Sequence, residues 1–310
     1  MTQSRAPYIG RFAPSPTGAL HVGSLLTAVA SYCDARANNG KWLVRIEDID
    51  PLREVPGASS DILRTLDEYG LHWDGEAVFQ SHRQDVYQAA IEKLQQNKHL
   101  FYCSCSRKQL ADHAVYPGTC RSQRLQPDNI PCALKAIVPK ENICFDDALQ
   151  GRFCLHFGID AGDFVIKRKE GFFAYHLAVV VDDAEQGITH IVRGSDLLDS
   201  TPYHLLLQRW LQVATPHYAH LPVLTNALGQ KLSKQTFARA LPRERRGELL
   251  LRILDLLGQI TADTLSDITW QSGVRQNIPP EEILDWAIRH WHFPAIPKKL
   301  AIEAEALQLA

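Results

Sequence analysis

Two short stretches far apart in this sequence combine residue types suited to handling a polyphosphate. Pro14-Ser15-Pro16-Thr17-Gly18-Ala19-Leu20-His21-Val22-Gly23-Ser24 separates a strand-like apolar run from a helical one. A helix start offers free N–H groups and the positive end of the helix dipole to an anion. Gly18 and Gly23 let a ligand approach the backbone closely, and His21 can donate to a phosphate oxygen. The alternative is a tight strand-to-helix turn with a surface histidine. Downstream, Lys231-Leu232-Ser233-Lys234-Gln235 follows the turn-like stretch Asn226 to Gln230. Lysine ammoniums are compact, movable charges that suit a developing triphosphate charge. Taken alone, the pattern also fits a solvated basic turn.

A third set consists of charged groups at the ends of apolar runs. Arg11 ends the first, Glu47 the second, and Arg193 a later one just before Gly194. In an open α/β sheet, ligands bind beyond the carboxyl ends of the strands. Arginine forks grip carboxylates through paired hydrogen bonds, and a carboxylate grips an ammonium. Each of the three could equally be a structural ion pair.

A fourth set is Cys103, Cys105 and Cys120, with Tyr116 and His113 between them. Two cysteines two residues apart can place both sulfurs on one ion, and zinc asks for four ligands. His113 is the conventional fourth ligand chemically and a tyrosine is unusual; three ordinary thiols are the alternative. Cys33, Cys132, Cys144 and Cys154 read as core or surface thiols, reduced in a cytoplasmic protein.

The elements that must position these groups follow from periodicity. Tyr8 to Ala13 reads as a strand, Val22 to Ala37 as a helix, and Trp42 to Ile46 as a second strand, which makes a βαβ unit and a parallel sheet. Helices are expected over Ser59 to Tyr69, Arg83 to Gln96, Thr201 to Leu211, Arg246 to Gly258 and Pro280 to His290. Phe164 to Arg168, Ala174 to Val181 and Ile188 to Val192 read as buried strands. From about residue 100 to 150 the chain reads as an inserted, loop-rich module, and after Lys234 as all-helical. Net charge is −2 over 310 residues, so any nucleic-acid contact must be local rather than a global basic field. No run of about 18 apolar residues suggests a membrane span.

These motifs together resemble the class I aminoacyl-tRNA synthetases of the glutamyl/glutaminyl type. Arg11 to Gly18 is similar to the "RFAPSPTG" form of the HIGH signature, with Ser24 where that motif's last histidine stands. Glutamate-type members often lack that histidine. Lys231 to Gln235 looks like the KMSKS loop, with Leu232 and Gln235 as departures. Arg45 to Asp48 matches "RIED", and Arg193 to Pro202 matches "RGSDLLDSTP". The match spans roughly the first 240 residues.

The resemblance implies a Rossmann-like class I synthetase catalytic domain over 1–240, interrupted by a zinc-binding module near 100–150, and a small helical stem-contact-like domain over 241–310. It implies His21 and Lys234 as catalytic residues and an ATP site of Gly18, His21, Gly23, Lys231 and Lys234. Arg11, Phe12, Ala13, Pro14, Ser15, Glu47, Tyr175 and Arg193 would line the glutamate pocket. Glu47 would take the α-ammonium and Arg193 the side-chain carboxylate. Arg45, Asp48 and Asp50 would be scaffold ion pairs. One structural Zn²⁺ would sit on Cys103, Cys105, Tyr116 and Cys120, with His113 in reserve, and Mg²⁺ would accompany ATP.

The expected absence of the larger anticodon-reading domains selects a shorter branch, the glutamyl-Q tRNA(Asp) synthetases. That branch implies a cytoplasmic, monomeric ligase that activates L-glutamate with ATP without tRNA. It transfers glutamate to queuosine at the wobble position, in the anticodon arm of tRNA(Asp). A minimal glutamyl-tRNA synthetase charging a tRNA 3′ end, an inactive paralogue acting as a binding protein, and a nucleotidyltransferase of related fold are the competing readings.

Overall fold

The computed structural model describes residues 7–113, 115–123, 125, 128, 130–232, 241–242, 244–261 and 278–304. It opens with β1 (Ile9–Phe12), α1 (Val22–Ala37), β2 (Lys41–Ile46), α2 (Ala58–Glu68), β3 (Val78–Phe79) and α3 (Gln84–Gln96). β2 pairs with β1 and β3, both in parallel. Next come β4 (Leu100–Cys103), α4 (Arg107–Leu110), β5 (Ala133–Ala136), β6 (Asn142–Asp147), β7 (Gly151–His156), β8 (Val165–Lys167) and α5 (Tyr175–Glu185). β9 (His190–Gly194), α6 (Thr201–Leu211) and β10 (His217–Leu221) form a second parallel unit. β9 lies beside β1, where the Thr189 N–H donates to the Ile9 carbonyl at 2.9 Å. β11 (Val223–Thr225), α7 (Arg246–Leu256), α8 (Pro280–Arg289) and β12 (Ala301–Glu303) complete the described elements.

α1 fills the crossover between β1 and β2. It packs on β1, β2 and β9, and also meets α7 and α8. That placement explains why Leu25, Leu26, Ala28, Val29, Ala30, Cys33 and Ala35 are all buried. A helix covered on several faces shows little amphipathic contrast. Buried Asp34 ties the ends of the chain to it, accepting from Tyr8 Oη at 2.5 Å and from Trp291 Nε1 at 3.0 Å. A second core gathers Tyr87, Ile91 and Leu94 of α3, Leu177 to Val181 of α5, and Leu206, Leu207 and Leu211 of α6.

Three expectations are corrected. Ala174 to Val181 is not a strand: α5 starts at Tyr175 and runs to Glu185. Its three consecutive valines and burial on every side erased the helical period from the sequence. The region after Lys234 is not all-helical, because β12 pairs in parallel with β11. Cys144 and Cys154 are not free thiols but form a disulfide, because the antiparallel register of β6 and β7 sets them directly opposite each other. The region near 100–150 also carries more sheet than its loop-like texture suggested, since β4 and β5 pair antiparallel. Among the described residues, no helix is long and apolar enough to cross a membrane.

Candidate active site at the carboxyl ends of the parallel strands

His21 caps α1 with its own ring. Its Nδ1 accepts from the backbone N–H groups of Gly23 at 3.1 Å and Ser24 at 3.3 Å, and its Nε2 lies 3.2 Å from Ser24 Oγ. Accepting two N–H groups keeps Nδ1 unprotonated, so a neutral His21 carries its proton on Nε2. Gly18 has φ 131°, a conformation that side chains resist. The turn is pinned to the neighbouring strand end by the Glu47 N–H, which donates to the Pro14 carbonyl at 2.9 Å. A Cβ placed on Gly23 would lie 3.1 Å from the His21 ring and 3.7 Å from the Leu232 carbonyl. The two phosphate-suited stretches, more than 200 residues apart, therefore meet. Lys231 pairs with Asp196 at 2.6 Å. Lys234 lies outside the described residues.

Beside this turn is a small cleft of about 50 Å³ lined by Ser15, Thr17, Glu47, Asp50, Arg168 and Tyr175, among others. Behind it sit three buried arginines in two different electrostatic settings. Arg45, fully buried, gives one Nη1 to Asp183 Oδ1 and to Gln186 Oε1, both at 2.7 Å, and reaches Glu47 Oε1 from Nη2 at 3.3 Å. Arg11 reaches the same Asp183 oxygen at 3.3 Å. Burial alone would raise the Asp183 carboxyl, but Arg45 and Arg11 outweigh it and hold it below its ordinary range. Glu47 goes the other way: burial raises it, against the pull of Arg45 and Arg11.

Arg193 differs. Its partners are His220 Nε2 at 3.0 Å, Thr201 Oγ1 at 2.8 Å, the Leu197 carbonyl at 3.2 Å, Tyr175 Oη at 3.3 Å and His204 Nδ1 at 3.4 Å. Among the described residues it makes no ion pair with a carboxylate, although it is only 3% exposed. A buried cation without a counterion is costly unless a ligand supplies the anion.

The residues expected around glutamate thus fall in different places. Ser15, Glu47 and Tyr175 line the cleft, and Arg193 stands behind Tyr175. Arg11 is braced by Asp183. The Phe12 side chain is in the core, stacked with Trp42 at 6.2 Å, Pro14 is buried and Ala13 is half-buried. Sequence reasoning missed Asp182, Asp183, His204, His220 and Asp147. The adjacent acids Asp182-Asp183 closing an apolar run were the available signal for the first two. Nothing local marked the others.

The end of β4 and the segment before β5 bring the thiols together. The ligand atoms of Cys103, Cys105 and Cys120 lie within 4.8 Å of one another. Cys105 Sγ is 3.5 Å from Cys120 Sγ, and Tyr116 Oη is 3.5 Å from Cys103 Sγ and 3.9 Å from Cys105 Sγ. Ligands about 2.3 Å from a tetrahedral centre stand roughly 3.8 Å apart, so this set fits a metal ion. Burial opposes ionisation of Cys120, but hydrogen bonding by Tyr116, the Ser104 backbone and the neighbouring thiols brings it down to about 6. Burial pushes Cys105 up to about 11. His113 is exposed and outside this group.

Comparison with known proteins agrees with this architecture. The family model described as class I tRNA synthetases (E and Q), catalytic domain, matches residues 9–249. The glutamyl-Q tRNA(Asp) synthetase of Neisseria meningitidis serogroup C is 50% identical over 300 residues, covering 94% of this chain and 98% of that protein. Its counterpart in Pseudomonas syringae pv. tomato is 48% identical over 297 residues, covering 96% and 97%. The crystal structure of glutamate-tRNA synthetase from Elizabethkingia anophelis superposes with a TM-score of 0.79 at 24% identity, over 97% of this chain and 68% of that one, and shows the shared fold. The parallel sheet with its histidine-capped crossover helix, the lysine stretch brought against it, and likeness along almost the whole length place this chain in the class I glutamyl- and glutaminyl-type tRNA synthetase family, among the glutamyl-Q tRNA(Asp) synthetases.

Proposed function

We propose that the chain activates L-glutamate with ATP and transfers it to the queuosine of tRNA(Asp). In the first step a glutamate α-carboxylate oxygen attacks the α-phosphorus of ATP, and the bond to pyrophosphate breaks. In the second, a hydroxyl of the modified nucleoside attacks the adenylate carbonyl, and AMP leaves. The chain's contribution to the first step is positioning and charge neutralisation. His21, whose Nδ1 caps the start of α1 and whose proton is on Nε2, faces the phosphates, with Gly18 and Gly23 giving room, and Lys231 and Lys234 supply cations. Mg²⁺ bound with ATP offsets phosphate charge. Glu47 receives the α-ammonium and Arg193, behind Tyr175, the side-chain carboxylate.

The observation that carries the choice of an acidic amino acid is the uncompensated, buried Arg193 next to a cleft that also presents Glu47. A neutral side chain would leave Arg193 hydrogen-bonded but without a carboxylate counterion. Zn²⁺ on Cys103, Cys105, Tyr116 and Cys120 would brace the inserted module and has no part in the reaction. The test is glutamate-dependent pyrophosphate exchange without tRNA, screened against other amino acids, followed by labelling of total tRNA and identification of the labelled nucleotide. Exchange with glutamate alone and label on queuosine are expected. Label on a terminal adenosine of tRNA(Glu) would instead make this a tRNA-charging enzyme.

A further inference from the structure

Arg193 stands in a shell made of neutral acceptors, and the protons in that shell can be assigned. A guanidinium only donates. His220 Nε2 accepts from Arg193 Nε at 3.0 Å, so the His220 proton is on Nδ1, which faces Asp147 Oδ2 at 2.6 Å. Asp147 is itself immobilised: its Oδ1 accepts the backbone N–H groups of Leu149 at 3.0 Å, Gln150 at 2.9 Å and His220 at 3.1 Å. On the other side, His204 Nδ1 faces Arg193 Nη1 at 3.4 Å, which leaves its proton on Nε2, 3.1 Å from His176 Nδ1. The Tyr218 ring lies 5.5 Å from the guanidinium and stacks with His220. Asp147, His204 and His220 are all buried.

We infer that Asp147 and His220, with His204 opposite, are positioning residues that fix the orientation of Arg193 while keeping its charge unneutralised, and so set the preference for an anionic amino-acid side chain. The carboxylate that anchors the arginine is held one imidazole away. It strengthens His220 as an acceptor without pairing with the guanidinium itself. A direct carboxylate, as Asp183 is to Arg45 and Arg11, would compete with the substrate. Burial and the nearby arginine keep the surrounding histidines neutral, with His220 and His204 both shifted downward. This inference rests on the reading of Arg193 as the group that meets the glutamate side chain.

The test pairs kinetics with a measurement that needs no substrate. In the full-length protein, long-range proton–nitrogen correlation should show His220 neutral with its proton on Nδ1, and His204 neutral with its proton on Nε2. In pyrophosphate exchange, His220→Leu should raise the KM for glutamate about tenfold or more, the loss expected for a hydrogen bond to a charged group. The KM for ATP should stay within about twofold, since other residues face ATP. His220→Gln should restore most of the loss, because its amide can accept from Arg193 and donate to Asp147; Asp147→Asn should fall between. Equal losses in the Leu and Gln variants, or a parallel rise in the KM for ATP, would overturn the relay. If His220→Leu does not fold, Asp147→Asn and the tautomers decide. Absence of any glutamate-dependent exchange in the unaltered protein would overturn the substrate reading instead. His220 charged, or protonated on Nε2, would overturn the relay whatever the substrate.

Discussion

Asp183 Oδ1 accepts from Arg45 Nη1 at 2.7 Å, joining α5 to β2 across 138 positions of sequence. Both side chains are almost wholly buried, at 4% and 0% exposure. Arg11 uses the same oxygen, so this one carboxylate bridges two arginines beneath the cleft. Removing one partner of a buried pair leaves an uncompensated charge, at a cost of about 3–5 kcal/mol. Asp183→Asn should therefore lower the urea-denaturation stability by about 3 kcal/mol. A loss under about 1 kcal/mol would mean that Glu47 and Asp182 already suffice for Arg45.

Arg193 should behave differently, because among the described residues no carboxylate pairs with it. Arg193→Ala is expected to abolish most glutamate activation, by about a hundredfold or more in kcat/KM, while ATP affinity changes little. Equilibrium dialysis with ATP and exchange kinetics with glutamate separate the two. Robust glutamate activation by the variant would assign the side-chain carboxylate to another residue.

The βαβ start of the fold was legible because its signals are local. The apolar run before Pro14, the helical stripe from Val22 and the glycine at 40 each act over a few residues, and α1 spans the expected Val22–Ala37. α5 was misread because its apolar face is no face at all. Leu177, Ala178, Val179, Val180 and Val181 are all buried, so no period survives. With α5 taken as a strand, Asp182 and Asp183 could not be brought beneath Arg45 and Arg11. The charged groups at the strand ends were readable from residue type: Arg11, Glu47 and Arg193. The shell around Arg193 was not, because Asp147, His204 and His220 come from β6, α6 and β10, and only the packing of those elements makes them neighbours. The Cys144–Cys154 pairing was hidden for the same reason, since it depends on strand register.

Lys234 tests the phosphate assignment. Leu232, two residues earlier, already approaches Gly23, and Lys231 is engaged with Asp196. Lys234→Ala should cut glutamate-dependent pyrophosphate exchange about a hundred- to a thousandfold, the loss expected for one group stabilising developing charge, about 2.7–4 kcal/mol. Lys231→Ala should lose less. Circular dichroism should be unchanged in both. Near-normal exchange by Lys234→Ala would remove it from the catalytic set.

The histidines near Arg193 make stability depend on acidity. Burial, then the charge of Arg193, pushes His176 down to about 4 from an ordinary 6.5. The unfolded chain therefore binds a proton on this ring at a pH where the folded chain refuses it. Stability from this group is complete above about 6.5 and is lost as pH falls from there toward 4. Between pH 7 and 5 the loss should be on the order of 1–2 kcal/mol. Urea titrations at the two pH values should show a smaller pH effect in His176→Gln than in the unaltered protein. Equal pH effects would show that His176 is protonated in the fold.

The thiol site offers the sharpest test of the inserted module. Three sulfurs and a phenol already approach tetrahedral spacing, and Cys120 sits low enough, at about 6, to ionise near neutrality. Burial holds the Tyr116 hydroxyl well above its ordinary range. A metal would have to displace that proton, so uptake should release protons and weaken in acid. After mild chelation, the protein should take up about one zinc per chain. Cys103→Ser should abolish tight uptake, Tyr116→Phe should weaken it, and His113→Ala should leave it unchanged, because His113 stands outside the cluster. Loss of zinc should lower resistance to proteolysis within the module more than it lowers glutamate-dependent pyrophosphate exchange, since the sulfurs belong to a packing cluster with Phe101, Leu125 and Ile137. Uptake that survives Tyr116→Phe but fails in His113→Ala would replace the phenol by the imidazole as the fourth ligand.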